Sequence, residues 1–109
     1  MNAEMQFADA IELLGNAPGI QPPMPGATGF GARTLRVNGK IAAMLVDDRL
    51  VIKLAAERVN ELIDSGEGEP YDGGKGHGRP MREWVSLRSG SSIPWETAMQ
   101  EAVDFARAH

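Results

Sequence analysis

The sequence predicts a single two-layer α+β domain in which helices pack on one face of an antiparallel sheet. Its 109 residues are the size of one domain, and three segments show the apolar periodicity of amphipathic helices. Three runs of β-forming residues between positions 34 and 54 are separated only by short turns, so the strands pair antiparallel. We therefore treat residues 1–109 as one domain, with the order helix, three strands, helix, one or two strands, helix.

The first helix is predicted from about Ala3 to Leu14. Its apolar residues recur with helical spacing and form one stripe, which consists of Phe7, Ala10, Ile11 and Leu14. Asn2 can cap the start of this helix, and Gly15 can end it. Residues 16–32 hold four prolines and four glycines, and we expect them to form a loop.

Three strands are predicted next, over Thr34–Val37, Ile41–Val46 and Arg49–Leu54. A two-residue turn at Asp47-Asp48 puts six apolar side chains on one face: Ile41, Ala43, Leu45, Leu50, Ile52 and Leu54. Leu35 joins this face only if the connection at Asn38-Gly39 has an odd length, because a one-residue slip turns every side chain over. We therefore predict a three-residue connection with Gly39 in a left-handed bulge conformation, in place of a type I′ turn.

The opposite face of these strands has an apolar centre and a basic flank. It is expected to hold Thr34, Arg36, Ala42, Met44, Val46, Arg49, Val51 and Lys53. A face open to water would alternate to polar residues more regularly. We predict that the 16–32 loop, the 65–82 loop or a second subunit covers it. The candidate partner surface is the apolar set Ala42, Met44, Val46 and Val51.

The second half of the chain is predicted to add a helix, one or two strands and a last helix. The first of these helices spans about Ala55–Asp64 and ends at Gly66, with a stripe of Ala55, Val59, Leu62 and Ile63. A short strand at Glu69–Asp72 and a longer one at Glu83–Arg88 follow, the latter with Trp84, Ser86 and Arg88 on one side. The last helix begins near Pro94, and its stripe is Trp95, Ala98, Met99, Ala102 and Phe105. We expect Trp84 and Trp95 in the core or at its edge.

The sequence lacks the residue patterns of common catalytic and metal sites. The chain has no cysteine and only two histidines, His77 and His109. A phosphate loop would need glycine where Glu69 stands and serine or threonine after Lys75, where Gly76 stands. No serine lies in a Gly-x-Ser-x-Gly elbow. We expect no enzymatic activity, no cofactor and no metal.

Charge is segregated along the chain although the net charge is only −4. Residues 33–58 and residues 73–88 each have a net charge of +3. If these two segments meet in space they form a phosphate-binding patch, for which the candidates are Arg36, Lys40, Lys53, Lys75, Arg79 and Arg82. The alternative is a solvated surface of mixed sign. The longest apolar run has six residues, so no membrane partner is expected, and the acidic N-terminus lacks a secretory signal, which indicates a cytoplasmic protein.

The segment from Gly29 to Val85 resembles the MmcQ/YjbR-like family, which is related to the N-terminal domain of TfoX-type competence regulators. The matching pieces are Gly29-Phe30-Gly31, Leu35-x-Val37-Asn38-Gly39-Lys40, Leu50-Val51-Ile52-Lys53-Leu54, Glu67-Gly68-Glu69-Pro70 and, most distinctive, Gly78-Arg79-Pro80-Met81-Arg82-Glu83-Trp84-Val85. The resemblance implies a two-layer α+β fold of order α-β-β-β-α-β-β-α, similar to type III secretion chaperones. It also implies DNA binding, and it supplies no catalytic residues.

Two functions follow from these observations. The first is a non-enzymatic regulatory or interaction module that binds DNA through the basic candidates. The alternative is a protein-binding or dimerising chaperone-like module that uses the apolar candidate surface, with a homodimer or another protein as partner. Whether the two basic segments converge in space is the feature that separates them.

Overall fold

The computed structural model describes residues 2–14, 18–22, 33–72 and 81–108 of the chain. Three helices and six strands lie in these ranges: α1 (Ala3–Leu14), β1 (Ile20–Gln21), β2 (Thr34–Val37), β3 (Lys40–Val46), β4 (Arg49–Lys53), α2 (Ala56–Asp64), β5 (Glu69–Pro70), β6 (Trp84–Arg88) and α3 (Trp95–Ala108). None of these three helices is long and apolar enough to cross a membrane.

The strands form one open antiparallel sheet in the order β1-β2-β3-β4-β6-β5. Tight hairpins join β2, β3 and β4, whereas β6 returns to pair with β4 and leaves β5 at the edge. The predicted class, a small α+β domain with an antiparallel sheet, is confirmed.

The structure adds a strand that the predicted order lacks. Ile20 and Gln21 form β1 and pair with Val37 and Arg36 at the edge of the sheet. The side chain of Gln21 also accepts the Gly39 N–H at 2.7 Å. The predicted loop over residues 16–32 therefore contains a strand, and two residues are too few to show a strand periodicity in sequence.

The connection between β2 and β3 is a two-residue turn, so the predicted three-residue connection is wrong. Val37 lies opposite Lys40, and the two residues between them have φ values of 51° at Asn38 and 84° at Gly39. Positive φ at both central positions is the requirement of a type I′ turn, for which Asn-Gly is the preferred pair. The local chemistry of Asn38-Gly39 therefore determines this turn.

The extra residue that the face pattern requires lies inside β3. Leu35 pairs with Ala43, but Arg36 pairs with Ile41, so Ala42 is a β-bulge residue without a partner opposite. Leu35 consequently shares the face of Ala43, as predicted. Ile41 lies on the face of Arg36 instead, and Ala42 is buried in the core. A small side chain at the bulge can turn inward without displacing its neighbours.

The three helices and the inner face of the sheet share one core. The buried inner-face residues are Leu35, Val37, Ala43, Leu45, Leu50, Ile52, Val85 and Leu87. The buried helical residues are Ala3, Phe7, Ala10, Val59, Leu62, Trp95, Ala98, Met99, Ala102 and Val103. Trp95 is fully buried, and its indole N–H donates to the Arg88 carbonyl at 3.1 Å. The predicted stripes therefore identify most of the packing residues. Ala55 is the exception in α2, since it is exposed and precedes the helix, and in α3 the core contains Val103 in place of Phe105.

Local contacts define two helix ends, and one ion pair joins α2 to α3. The Asn2 Oδ1 accepts the Met5 N–H at 2.8 Å, which is the predicted cap of α1. Gly66, with φ 84°, follows the end of α2. Arg58 of α2 binds both carboxylate oxygens of Glu101 in α3, at 3.0 and 3.2 Å. This two-point contact joins two helices that are far apart in sequence.

Candidate functional site

The centre of the outer sheet face, which points away from the helices, is buried within the single chain. A row across four strands consists of Thr34, Met44, Val51 and Ser86. Met44 and Val51 are only 8% and 1% exposed. Of the other two candidate partner residues, Ala42 lies in the core and Val46 is partly exposed. The two central apolar candidates are therefore not accessible to a partner in this structure. The predicted covers, the 16–32 and 65–82 loops, lie largely outside the described residues.

The antiparallel register brings four of the six predicted phosphate-binding residues to one end of the sheet. At this end β2 and β4 finish while β3 and β6 begin. We call this group the basic sheet end; it consists of Arg36, Lys40, Lys53 and Arg82. Because neighbouring strands lie about 4.8 Å apart, four strands spread these residues over about 14 Å. The two basic segments of the sequence therefore converge in space.

The basic sheet end has two exposed and two half-buried cations. Lys40, at the start of β3, and Arg82, in the turn before β6, are exposed. Arg36 and Lys53 are half-buried strand residues that point to the outer face. Two acidic residues, Asp72 and Glu83, lie at the same end of the sheet. The end is therefore basic in balance and not uniformly positive.

An aromatic ring adjoins the basic sheet end. Lys53 and Trp84 are directly opposite in the β4–β6 ladder, and the Lys53 Nζ lies 5.9 Å from the centroid of the Trp84 ring. This is within the range of a cation–π interaction. Trp84 is half-buried on the outer face, whereas Trp95 is fully buried on the inner side. The two tryptophans therefore have different environments, although the sequence predicts the same role for both.

The remaining two candidates, Lys75 and Arg79, lie outside the described residues. The described residues on either side of them are joined at the basic sheet end, where the Met81 N–H donates to the Tyr71 carbonyl at 2.7 Å. Partial burial raises the pKa of the Tyr71 phenol, and the negative charges of Asp72 and Asp47 raise it further. Both effects favour the neutral form of the Tyr71 phenol.

The structure adds two outer-face arginines to the predicted set. Arg49 and Arg88 are direct neighbours across β4 and β6, an arrangement of like charges that is unfavourable without partners. Arg49 turns toward the sheet edge, where its Nε donates to the Ser86 Oγ at 2.6 Å and its guanidinium lies 3.2 Å from the Glu69 carboxylate. Strand periodicity in the sequence predicts that Arg88 lies on the same side of β6 as Ser86. It does not predict that β6 pairs with β4, so the sequence does not reveal that Arg88 lies next to Arg49.

Charge separates between the two layers of the domain. The helices carry nine acidic and two basic residues, and the described strands carry five basic residues and one acidic residue. By strand parity, four of those five basic residues lie on the outer face: Arg36, Arg49, Lys53 and Arg88. The domain is therefore acidic on its helical side and basic on the outer side of its sheet.

The part of the chain described above contains no group of three or more His, Cys, Asp or Glu side chains arranged to hold a metal ion. It also leaves no buried side-chain nitrogen or oxygen atom without a hydrogen-bond partner. Comparison of the chain with models of known families, with curated proteins and with solved structures gives no match.

Proposed function

We propose that this protein is a non-enzymatic interaction module that binds DNA phosphates through its basic sheet end. The observation that supports this function is the convergence of Arg36, Lys40 and Lys53 with Arg82. These residues come from two basic segments separated by an acidic stretch, and the sheet register alone brings them together. Lys75 and Arg79 belong to the same proposal through their sequence position between Tyr71 and Met81.

The spacing of the cations suits a phosphate backbone. A duplex strand advances about 3.4 Å per nucleotide. The basic sheet end, which spans about 14 Å, therefore faces roughly four nucleotide steps. Contacts of this kind position a protein on DNA without reading its sequence. The acidic helical layer repels DNA from the other side of the domain. The electrostatic field of the protein therefore favours the approach of DNA to the outer sheet face.

The finer fold assignment is part of the same proposal. The resemblance to the MmcQ/YjbR-like family and the order that it implies belong to this proposal, and β1 is a strand that this order lacks. If the chain belongs to the MmcQ/YjbR-like family, its fold is similar to that of type III secretion chaperones. A cytoplasmic location of the protein is part of the same proposal.

The alternative function, a dimerising or protein-binding module on the outer face, has less support. Met44 and Val51 are buried in a single chain, and Ala42 packs in the core. Val46 alone does not provide the contiguous apolar area that a stable interface needs. A partner could reach Met44 and Val51 only if these buried side chains became exposed.

Fluorescence anisotropy of a labelled DNA duplex tests the proposed function. The logarithm of the affinity should fall linearly with the logarithm of the salt concentration. The four described cations contribute a slope of roughly −3.6, and contacts by Lys75 and Arg79 make it steeper. Binding should be measurable at low salt and weak at physiological salt. Absence of binding at low salt would overturn the proposal.

A further inference from the structure

A shallow groove lies in the helical layer, between the end of α1 and the exposed side of α3. Its volume is about 560 Å³, and Leu13 and Leu14 provide its apolar surface. Leu13 is 71% exposed, the highest value among the large apolar side chains that the structure describes. Leu14 is part of the α1 stripe and packs against the core, so its position in the groove is held by the core, whereas Leu13 is exposed to a partner.

The rim of this groove is acidic. Glu96, Glu101 and Asp104 line it along α3, and no basic side chain is among its described lining residues. Glu101 is already bound by Arg58, which leaves Glu96 and Asp104 as the carboxylates that face an incoming ligand. The Gln100 side-chain amide donates to the Asp104 Oδ1 at 3.0 Å and orients that carboxylate.

We infer that this groove binds a basic amphipathic peptide segment of another protein. Charge complementarity identifies the occupant, because the rim is acidic and belongs to a helical layer with nine acidic and two basic residues. The exposed leucine requires an apolar side chain on the partner. A wide, open groove of this kind suits a helix laid on its surface and encloses too little of a small molecule.

The spacing of the carboxylates specifies the partner further. Glu96 and Asp104 are eight residues apart on α3, which corresponds to about 12 Å along the helix axis. A partner helix that carries lysine or arginine at positions two turns apart matches this separation. An aliphatic residue on the same face, between the two cations, would then contact Leu13.

The probe for this site is a labelled synthetic peptide with leucines along one helical face and lysines two turns apart beside them. Its matched control has glutamate in place of each lysine. The basic peptide should bind and shift the amide resonances of Leu13, Leu14, Glu96 and Gln100, and the acidic peptide should not. Leu13→Ser should weaken binding by roughly tenfold because an apolar contact is lost. Glu96→Gln combined with Asp104→Asn should also weaken it by roughly tenfold.

A second charge-neutralised variant separates this site from general attraction to an acidic surface. Glu57→Gln combined with Asp64→Asn makes the same change of charge on α2, and Glu57 also lies in the first turn of its helix. This variant should bind the basic peptide like the parent. Equal weakening in both double variants, an unchanged affinity for Leu13→Ser, or no binding of the basic peptide would each overturn the inference. Thermal melts confirm that each variant is folded.

Discussion

Lys53 and Trp84 form a cross-strand pair on the outer face, with the Lys53 Nζ 5.9 Å from the centroid of the indole ring. The pair brings together a cation from the first basic segment of the sequence and an aromatic residue from the second. It forms because β6 returns across the sheet to pair with β4. The same pairing brings Arg82 to the end of the sheet that holds Lys53. The proposed DNA-binding site therefore depends on one long-range strand pairing.

The two tryptophans should differ in their contributions to stability. Trp95→Ala should lower the free energy of unfolding by about 3–5 kcal/mol, because a fully buried ring and its hydrogen bond to the Arg88 carbonyl are lost. Trp84→Ala should cost less, because Trp84 is half-buried on the outer face. Urea unfolding of both variants measures the difference. Equal losses would contradict the assignment of Trp95 to the core.

The type I′ turn between β2 and β3 can be tested with two glycines. Both Gly39 and Gly90 have open space where a Cβ would lie, but only Gly39 has a positive φ, of 84°. Gly39→Ala should cost about 1–2 kcal/mol through backbone strain alone. Gly90→Ala is the matched control and should change stability by less than about 0.5 kcal/mol. A Gly39→Ala variant as stable as the parent would rule out this turn.

The bidentate pair of Arg58 and Glu101 should couple α2 to α3 only modestly. Both side chains are more than one third exposed, so solvent screening limits the coupling to about 0.3–1 kcal/mol. A double-mutant cycle of Arg58→Ala and Glu101→Ala measures it. Arg58→Lys should recover little of this coupling, because lysine cannot bind both oxygens in the same plane. Full recovery with lysine would show that charge alone is sufficient.

Glu67 should give the protein a stability contribution that disappears in acid. Hydrogen bonds from the Ser92 hydroxyl and backbone N–H hold the pKa of the Glu67 carboxyl below its usual range. The folded-state pKa is thus lower than the unfolded one, so the contribution is present above the unfolded pKa and is lost as pH falls through the folded pKa. The melting temperature of Glu67→Gln should lie below that of the parent at neutral pH, and the two should converge in acid. A difference that persists in acid would contradict this explanation.

Local patterns in the sequence predict most of the fold. The apolar stripes locate the helices, and α1 matches its predicted bounds of Ala3 and Leu14. The face argument predicts correctly that an extra residue is needed between Leu35 and Ala43, but it places that residue wrongly in the turn. Asn38 and Gly39 satisfy the turn by themselves, so the extra residue falls at Ala42 in the strand. Turn preference is local, whereas the position of a bulge depends on how the two strands pair.

The candidate site is less predictable because it depends on distant pairings. The sequence shows that Arg36, Lys53 and Arg82 are basic, but only the β4–β6 ladder brings Arg82 to the same end of the sheet as Lys53. The same ladder brings Arg49 and Arg88 together, and neither is in the predicted set. No local pattern encodes which strand β6 joins. The two-residue strand β1 is missed because it is too short to show a periodicity.

The salt dependence of DNA binding by two double variants tests the central claim most directly. Arg36→Gln combined with Lys53→Gln removes two cations from the basic sheet end. Arg33→Gln combined with Arg107→Gln makes the same change of charge at residues that contact Glu4 and the Pro18 carbonyl instead. The first variant should bind duplex DNA more weakly, and the magnitude of its salt slope should fall by about two relative to the parent. The second variant should keep the parental slope. Equal slopes for the parent and both variants would contradict a phosphate-binding site at this end of the sheet.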